Sequence, residues 1–343
     1  MKKGDEIVGW LRTPPAERPG LYARADALRR ERRGDSVPLR GIVEFSNVCA
    51  GDCAYCGLRR SNRDLRRYTM PADEILDVAR RMAGWGQMTV VLQSGEAPSR
   101  DGDRALGELI ARIKRETPLA VTVSVGNRPR ATYAYWRDCG MDRYLLRFET
   151  SDADLYRRMH DGGELGDRLA CLRDLRALGV QTGSGFMIGL PGETPERLAE
   201  NIRLCAELDL DMIGIGPFIP NPDTPMGSAR NAWADDPEMF FVALAALRLA
   251  CPDAHIPATT AYDAVFPNAG RDRALRCGAN VFMPNSTPGR YRRDYQLYPN
   301  KPCVDEEAGD CAACVQWRLK ALGREIETGP GHAARRGAPA GDP

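Results

Sequence analysis

The chain contains no uninterrupted apolar stretch of 18 residues, so no membrane-spanning helix is expected. Its first twelve residues, Met1 to Arg12, lack the apolar centre of a secretory signal. Export is therefore not expected, and a cytoplasmic location is. An excess of one charge sign is also missing. The 48 Lys and Arg residues against 47 Asp and Glu leave a formal net charge of +1. That balance gives no electrostatic footprint for nucleic acid or for an anionic membrane surface. Basic runs such as Arg29-Arg-Glu-Arg-Arg33 are interrupted by acid and read as solvated helix faces. Without a secretory signal, the 11 cysteines argue for metal or redox chemistry rather than for disulfides.

Six of those cysteines fall into two tight groups, 49/53/56 and 303/311/314. The other five, Cys139, Cys171, Cys205, Cys251 and Cys277, stand alone in helical or apolar contexts and read as small buried hydrophobes. The first group lies in Asn47-Val-Cys-Ala-Gly-Asp-Cys-Ala-Tyr-Cys-Gly57, a C-x3-C-x2-C spacing. No histidine or fourth cysteine lies nearby to complete a four-ligand zinc site. Three thiolates can instead hold three irons of a 4Fe–4S cluster. The fourth iron then lacks a protein ligand, and an open metal position marks a catalytic site.

With 343 residues, 43% of them hydrophobic, the chain can build one large core or one barrel with an appendage. Candidate strands are Gly41–Ser46, Met88–Ser94, Ala120–Val125, Arg143–Phe148, Gln181–Ile188, Met212–Gly216, His255–Thr260 and Asn280–Met283. Amphipathic helical patterns separate them. The clearest is Pro71–Trp85, with Pro71 at the start, Asp73 and Glu74 near the N-terminal dipole, and Ile75, Ala79 and Met82 on one face. Eight β–α alternations predict parallel strands and an α/β fold, a (β/α)8 barrel of TIM type. Residues 1–40 read as a helical extension, 41–285 as the barrel and 286–328 as a C-terminal cap. The Gly/Ala/Pro/Arg-rich residues 329–343 read as a disordered tail. The polar residues of interest fall at the C-terminal ends of the predicted strands, where such barrels place their sites.

The cysteine motif, with Tyr55 just before its last cysteine, resembles the signature of the radical SAM enzymes. Further segments narrow the resemblance: Gly57-Leu-Arg-Arg-Ser-Asn62, Tyr144-Leu-Leu-Arg147, Ile215-Gly-Pro-Phe-Ile-Pro220, Ile256-Pro-Ala-Thr-Thr260, Cys277-Gly-Ala-Asn-Val281 and Tyr295-Gln-Leu-Tyr-Pro299. Together they are similar to the iron–iron hydrogenase maturases of HydE type, from about residue 5 to 325, with methylornithine synthase and biotin synthase as relatives.

The resemblance implies that Cys49, Cys53 and Cys56 bind the 4Fe–4S cluster and that its open iron chelates S-adenosylmethionine (SAM). A 5′-deoxyadenosyl radical would follow. It implies SAM contacts from Tyr55, Gln93, Gly95, Glu96, Glu149 and Arg168. It implies an internal cavity lined by Thr122, Ser124, Arg143, Thr259, Thr260, Met283 and Tyr295. The Cys303-x7-Cys311-x2-Cys314 spacing matches an auxiliary 2Fe–2S or 4Fe–4S site of some members, three ligands again leaving a gap; zinc or unliganded thiols are the alternatives. The implied substrate is a small organometallic iron complex, a cysteine-bound iron carbonyl cyanide, delivered by a partner maturase. Flavodoxin or ferredoxin would be the reductant.

Two departures stand out: Phe148 where a histidine is familiar, and Ser286 where a tryptophan is. Both are expected near the rim. They leave open a paralogue with another substrate or a methylornithine synthase-like mutase. A non-catalytic iron–sulfur carrier is the alternative of another class, and the SAM-contacting segments argue against it.

Overall fold

Residues 3–333 are described by the computed structural model. Strands β1 (Arg40–Ser46), β2 (Thr89–Ser94), β3 (Ala120–Ser124), β4 (Arg143–Leu145), β5 (Gln181–Ser184) and β6 (Met212–Ile213) form one parallel sheet in sequence order. Strand β7 (Pro257–Ala258) pairs in parallel with β8 (Val281–Phe282). A bridge from Met212 to His255 joins β6 to the approach to β7, and bridges Leu39–Phe282 and Ile42–Asn285 return β8 to β1. The ladder therefore closes on itself, as the eight alternations predict.

The predicted strands Gln181–Ile188 and Met212–Gly216 are each interrupted. Their upper parts, Met187–Ile188 and Gly216–Pro217, pair with one another instead. The break falls where Gly185 meets Gly214. A Cβ on Gly185 would sit 1.9 Å from the Gly214 carbonyl oxygen, and Gly185 has φ +153°. Only glycine permits that approach.

The helices are α1 (Lys3–Leu11), α2 (Arg18–Arg33), α3 (Ala72–Gly84), α4 (Arg100–Glu116), α5 (Arg130–Asp138), α6 (Ala153–Met159), α7 (Leu165–Ala177), α8 (Pro195–Glu207), α9 (Met239–Ala250), α10 (Thr260–Val265), α11 (Gly270–Arg276), α12 (Gly289–Arg292) and α13 (Ala308–Ala321). Helix α3 behaves as its pattern predicts: Ile75, Ala79 and Met82 are buried, and Pro71 precedes the first turn. Helix α9 is buried from Met239 through Arg248. An all-round apolar helix needs cover on both sides. The N-terminal extension supplies it: Ile7, Leu11, Leu21 and Ala25 join the same core as Phe241 and Leu244. Helix α6, too short to read from periodicity, is started by Asp152, whose side chain accepts from Leu155 N.

The bottom of the barrel corrects two expectations. Arg143 opens β4 at its N-terminal end, opposite the cysteine rim, and does not reach the cavity. Its guanidinium donates to Thr89 Oγ1 (3.0 Å), Gln181 Oε1 (3.1 Å) and Pro330 O (2.6 Å). Arg40, fully buried, donates to Gly331 O at 3.0 Å. Burial, then repulsion from Arg143 and Arg33, pushes the Arg40 guanidinium well below its ordinary value. Gly329–Ala333 is therefore packed chain that supplies carbonyl acceptors to buried cations; the disorder expected for 334–343 lies outside the described residues. Truncation after Thr328 removes those acceptors. It should destabilise the protein by about 2–4 kcal/mol, the range for stranding buried hydrogen-bonded charge. Thermal melting checks this, and an unchanged midpoint would contradict the role of these carbonyls as acceptors for the buried arginines.

Candidate active site

Strand β1 ends at Ser46 and runs directly into the cysteine loop. Backbone bonds fasten that loop from three sides: Ala50 N donates to Glu96 O just past β2 (2.7 Å), Ala54 N to Met159 O at the end of α6 (2.8 Å) and Gly57 N to Leu297 O in the cap (3.0 Å). Asp52 accepts from the Arg59 guanidinium and from Ser61, which holds its carboxyl well below the usual carboxylate range. Gly95 packs on the first cysteine, where any Cβ would meet Val48 O at 2.3 Å and Cys49 Cβ at 2.8 Å. The glycine thus lets the Ser-Gly-Glu segment lie against the loop.

Burial, reinforced by the neighbouring Cys49, pushes the Cys53 thiol up to about 12. Burial and Cys53 push Cys56 up as well. Two neighbouring thiols that resist ionisation are stabilised as thiolates by a strong local cation, because a bound metal ion inverts local pKa logic. The donor set fits an iron–sulfur cluster.

Beside the thiols, Arg168 lies 3.5 Å from Glu96, and its Nε donates to Tyr156 Oη at 3.0 Å. Burial opposes its charge, yet Tyr156 and Glu96 hold the guanidinium above its ordinary value. Glu149 follows β4 with φ +63°, a left-handed conformation that costs a non-glycine residue on the order of 1–3 kcal/mol. Two backbone bonds hold it there, Glu149 N to Gly185 O (3.0 Å) and Met187 N to Glu149 O (3.1 Å). Burial pushes its carboxyl up, against Arg147 and Arg168. Arg147 Nη2 lies 2.9 Å from Glu149 Oε2, but neither atom is aligned for a hydrogen bond. Both retain unmet capacity beside the cavity.

Tyr55 Oη lies 3.1 Å from His160 Nε2, while His160 Nδ1 lies 2.9 Å from the Tyr156 carbonyl oxygen. The carbonyl can only accept, so Nδ1 carries the proton and Nε2 accepts from Tyr55. The His160 ring stacks on Tyr156 at 3.9 Å.

These groups converge on one cavity of about 340 Å³ at the C-terminal mouth of the barrel. It is lined by Cys49, Cys53, Cys56, Tyr55, Gln93, Gly95, Glu96, Glu149 and Arg168, and deeper by Ser124, Thr259, Thr260, Met283 and Tyr295. A larger groove of about 480 Å³ between α6, α7 and α8 contains none of the cysteines. Thr122 and Arg143 are not among the lining residues; Thr122 is buried below, its Oγ1 without a partner.

The sequence reading missed several lining groups: Glu44, Arg147, His160, Tyr298 and Lys301. Lys301 Nζ donates to Glu44 Oε1 at 2.5 Å, and both side chains are buried. Gln93 Nε2 donates to Tyr295 Oη (3.2 Å), and Thr260 Oγ1 bonds Tyr298 Oη (2.8 Å). Arg147 could have been found inside its quoted segment; Lys301 carries no local signal, because only the folding-over of the cap brings it in.

Neither departure turns its side chain into the cavity. Phe148 is fully buried in the outer core against Phe186, with ring centroids 6.0 Å apart. Ser286 is fully buried and donates to Gln87 Oε1 at 2.7 Å, outside the cavity lining. The auxiliary thiols are only partly assembled: Cys303 and Cys311 are within side-chain bonding reach, while Cys314 is exposed on α13.

A family profile described as the Radical SAM superfamily matches residues 43–205. The chain belongs to the radical SAM superfamily, enzymes that work with a 4Fe–4S cluster and SAM. It is 46% identical over 305 residues, 89% of this chain and 86% of the relative, to the [FeFe] hydrogenase maturase subunit HydE of Thermotoga maritima. It is 28% identical over 314 residues to a 3-methylornithine synthase of Methanosarcina acetivorans, covering 89% of this chain and 84% of that one. The crystal structure of a methylornithine synthase superposes with TM-score 0.80 at 25% identity, covering 94% of this chain and 97% of that chain. The hydrogenase maturase HydG of Carboxydothermus hydrogenoformans shares the fold with TM-score 0.76 at 20% identity, covering 92% of this chain and 74% of that one.

Two predictions follow from this geometry. Burial lowers His160 from 6.5 to about 4. Between those values the unfolded chain binds a proton there and the folded chain does not. Stability therefore falls as pH drops through that window, by up to roughly 3 kcal/mol from this group. His160→Gln should flatten the pH dependence of denaturant midpoints between pH 4 and 6.5; an unaltered profile would refute the assignment. Phe148→His, in turn, buries a polar ring in an apolar core. It should cost about 2–4 kcal/mol of unfolding free energy, and a neutral effect in denaturant titration would mean that Phe148 faces solvent or the cavity.

Proposed function

We propose that this chain is an iron–iron hydrogenase maturase of HydE type, acting in assembly of the diiron centre. The observation that carries the reading is the 46% identity to such a maturase across 89% of the chain, combined with convergence of the cysteine loop and the SAM-directed residues on one cavity. When bound, a 4Fe–4S cluster with SAM supplies reductive cleavage of the sulfonium to a 5′-deoxyadenosyl radical.

In this reading Cys49, Cys53 and Cys56 hold the cluster. Tyr55, oriented by His160, packs against the adenine. The Glu96 carboxylate and the Gly95 segment receive the methionine ammonium. Arg168 pairs with the carboxylate, a contact suited to a guanidinium, and Glu149 contacts SAM from a backbone that holds it over the cavity. Ser124, Thr259, Thr260, Met283 and Tyr295 line the substrate chamber, joined by Arg147 and the Lys301–Glu44 pair. The chamber restricts water, which protects a reactive intermediate.

The substrate class is a small iron complex, specifically a cysteine-bound iron carbonyl cyanide handed over by a partner maturase, with flavodoxin or ferredoxin as electron source. No helix among the described residues is long and apolar enough to cross a membrane, and 11 cysteines without a disulfide suit a cytoplasmic protein. A mutase of methylornithine synthase type is the second reading, supported by the TM-score of 0.80. The auxiliary cysteines weigh against it.

The test has two arms. The anaerobically reconstituted, reduced protein should cleave SAM to 5′-deoxyadenosine, and Ala at any one of Cys49, Cys53 or Cys56 should abolish this. The intact chain should also restore active hydrogenase to a cell lacking its own maturase of this type. Cleavage without rescue would overturn the hydrogenase assignment and leave the mutase or paralogue reading; no cleavage by the iron-loaded wild type would overturn the radical reading itself.

A further inference from the structure

We propose that Glu306 supplies the ligand that the C-terminal cysteines lack, completing a metal site in the cap. Three cysteines in that segment leave one position of a four-coordinate site unfilled. In the structure the ligand atoms of Cys303, Glu306 and Cys311 all lie within 4.8 Å of one another. A single ion bound at about 2.0–2.3 Å from each ligand separates its ligands by only a few ångströms, so small side-chain shifts bring all three into coordination. Cys314 stands one turn beyond Cys311 on α13, on the same helix side. Its exposed side chain is free to rotate toward the group as the fourth donor.

The surroundings are built rather than incidental. Cys303 holds a left-handed φ of +60°. That conformation is fixed from beneath by Arg292, a fully buried guanidinium that donates to Cys303 O (2.8 Å), Thr287 O (2.6 Å) and Asn285 O (2.8 Å). The neighbouring Asp305 is engaged with Arg293, whereas Glu306 has no other hydrogen bond or ion pair among the described residues. An exposed carboxylate is ordinarily solvated, but this one is aimed at a thiol pair with nothing else to bind.

Three thiolates and one carboxylate form a closed set, the mark of a structural rather than a catalytic site. The chemistry is that of iron, alone or in an iron–sulfur cluster, or of zinc. The inference does not depend on the proposed hydrogenase role.

The experiment uses the full chain with Cys49, Cys53 and Cys56 all changed to Ala, so that only the cap can hold metal. After anaerobic loading with ferrous iron and sulfide, or with zinc, metal and acid-labile sulfide are counted per chain. This chain should retain metal; sulfide identifies a cluster and its absence a single ion. Adding Glu306→Gln should speed release to a chelator at least tenfold and shift the absorption spectrum of the iron form. Circular dichroism confirms that the variant is folded, and Glu306→Asp should restore part of the retention. Identical release and spectrum for Glu306→Gln would overturn the proposal, as would failure of the parent chain to hold any metal. In the otherwise native chain, Glu306→Gln should lower total metal content while leaving SAM cleavage unchanged, and unchanged metal content there would overturn it too.

Discussion

The rest of the site depends on one constraint: thiols and carboxylates are gathered, half-buried or buried, at a single rim of the barrel. Burial disfavours their charged forms, and they repel one another. Cys53 and Cys56 are pushed up for this reason, and so is Glu149. Arg147 and Arg168 answer the carboxylates, and Tyr156 holds Arg168 in place. What still goes unanswered is the thiol cluster, and its remaining demand is for a cation. The rim therefore favours a metal cluster before any cofactor is named.

Charge also organises the depth of the barrel. The lower end is dominated by Arg40 and Arg143, which donate to the backbone carbonyls of Gly331 and Pro330 respectively. The chamber wall carries Glu44 and Lys301, paired with each other and anchored to Tyr295 O and Asn285. Such a buried pair adds little stability over apolar packing. Its effect is positional: it fastens the cap segment from Tyr295 to Lys301 onto β1 and sets Tyr295 and Tyr298 into the cavity wall. The cap is thus a part of the chamber, and the N-terminal helices are likewise part of the core through α9.

Much of this was legible in the sequence. The strand and helix order, the closing of the ladder and the position of the cysteine loop after the first barrel strand follow from periodicity and spacing. Those are local properties, repeated at each β–α unit. The failures are also physical. Phe148 and Ser286 lie in segments that end barrel strands, and neighbours along a strand point to opposite faces. Position in the segment therefore says nothing of which face a side chain takes. Arg143 lies at the start of its strand, not the end, so its charge serves the wrong end of the barrel for a substrate role.

The sequence by itself determined the fold class and the three-thiolate motif, because both rest on short-range patterns: alternation of apolar residues, turn residues between elements and a fixed cysteine spacing. Only the tertiary structure decided the company those residues keep. His160 reaches Tyr55 across 105 positions and Lys301 reaches Glu44 across 257. The packed stretch 329–333 closes a barrel whose matching arginines lie nearly 200 or more positions away. Such contacts are set by the closing of the barrel and the fold-back of its cap, where burial of apolar surface brings distant polar groups together and leaves each to find a partner.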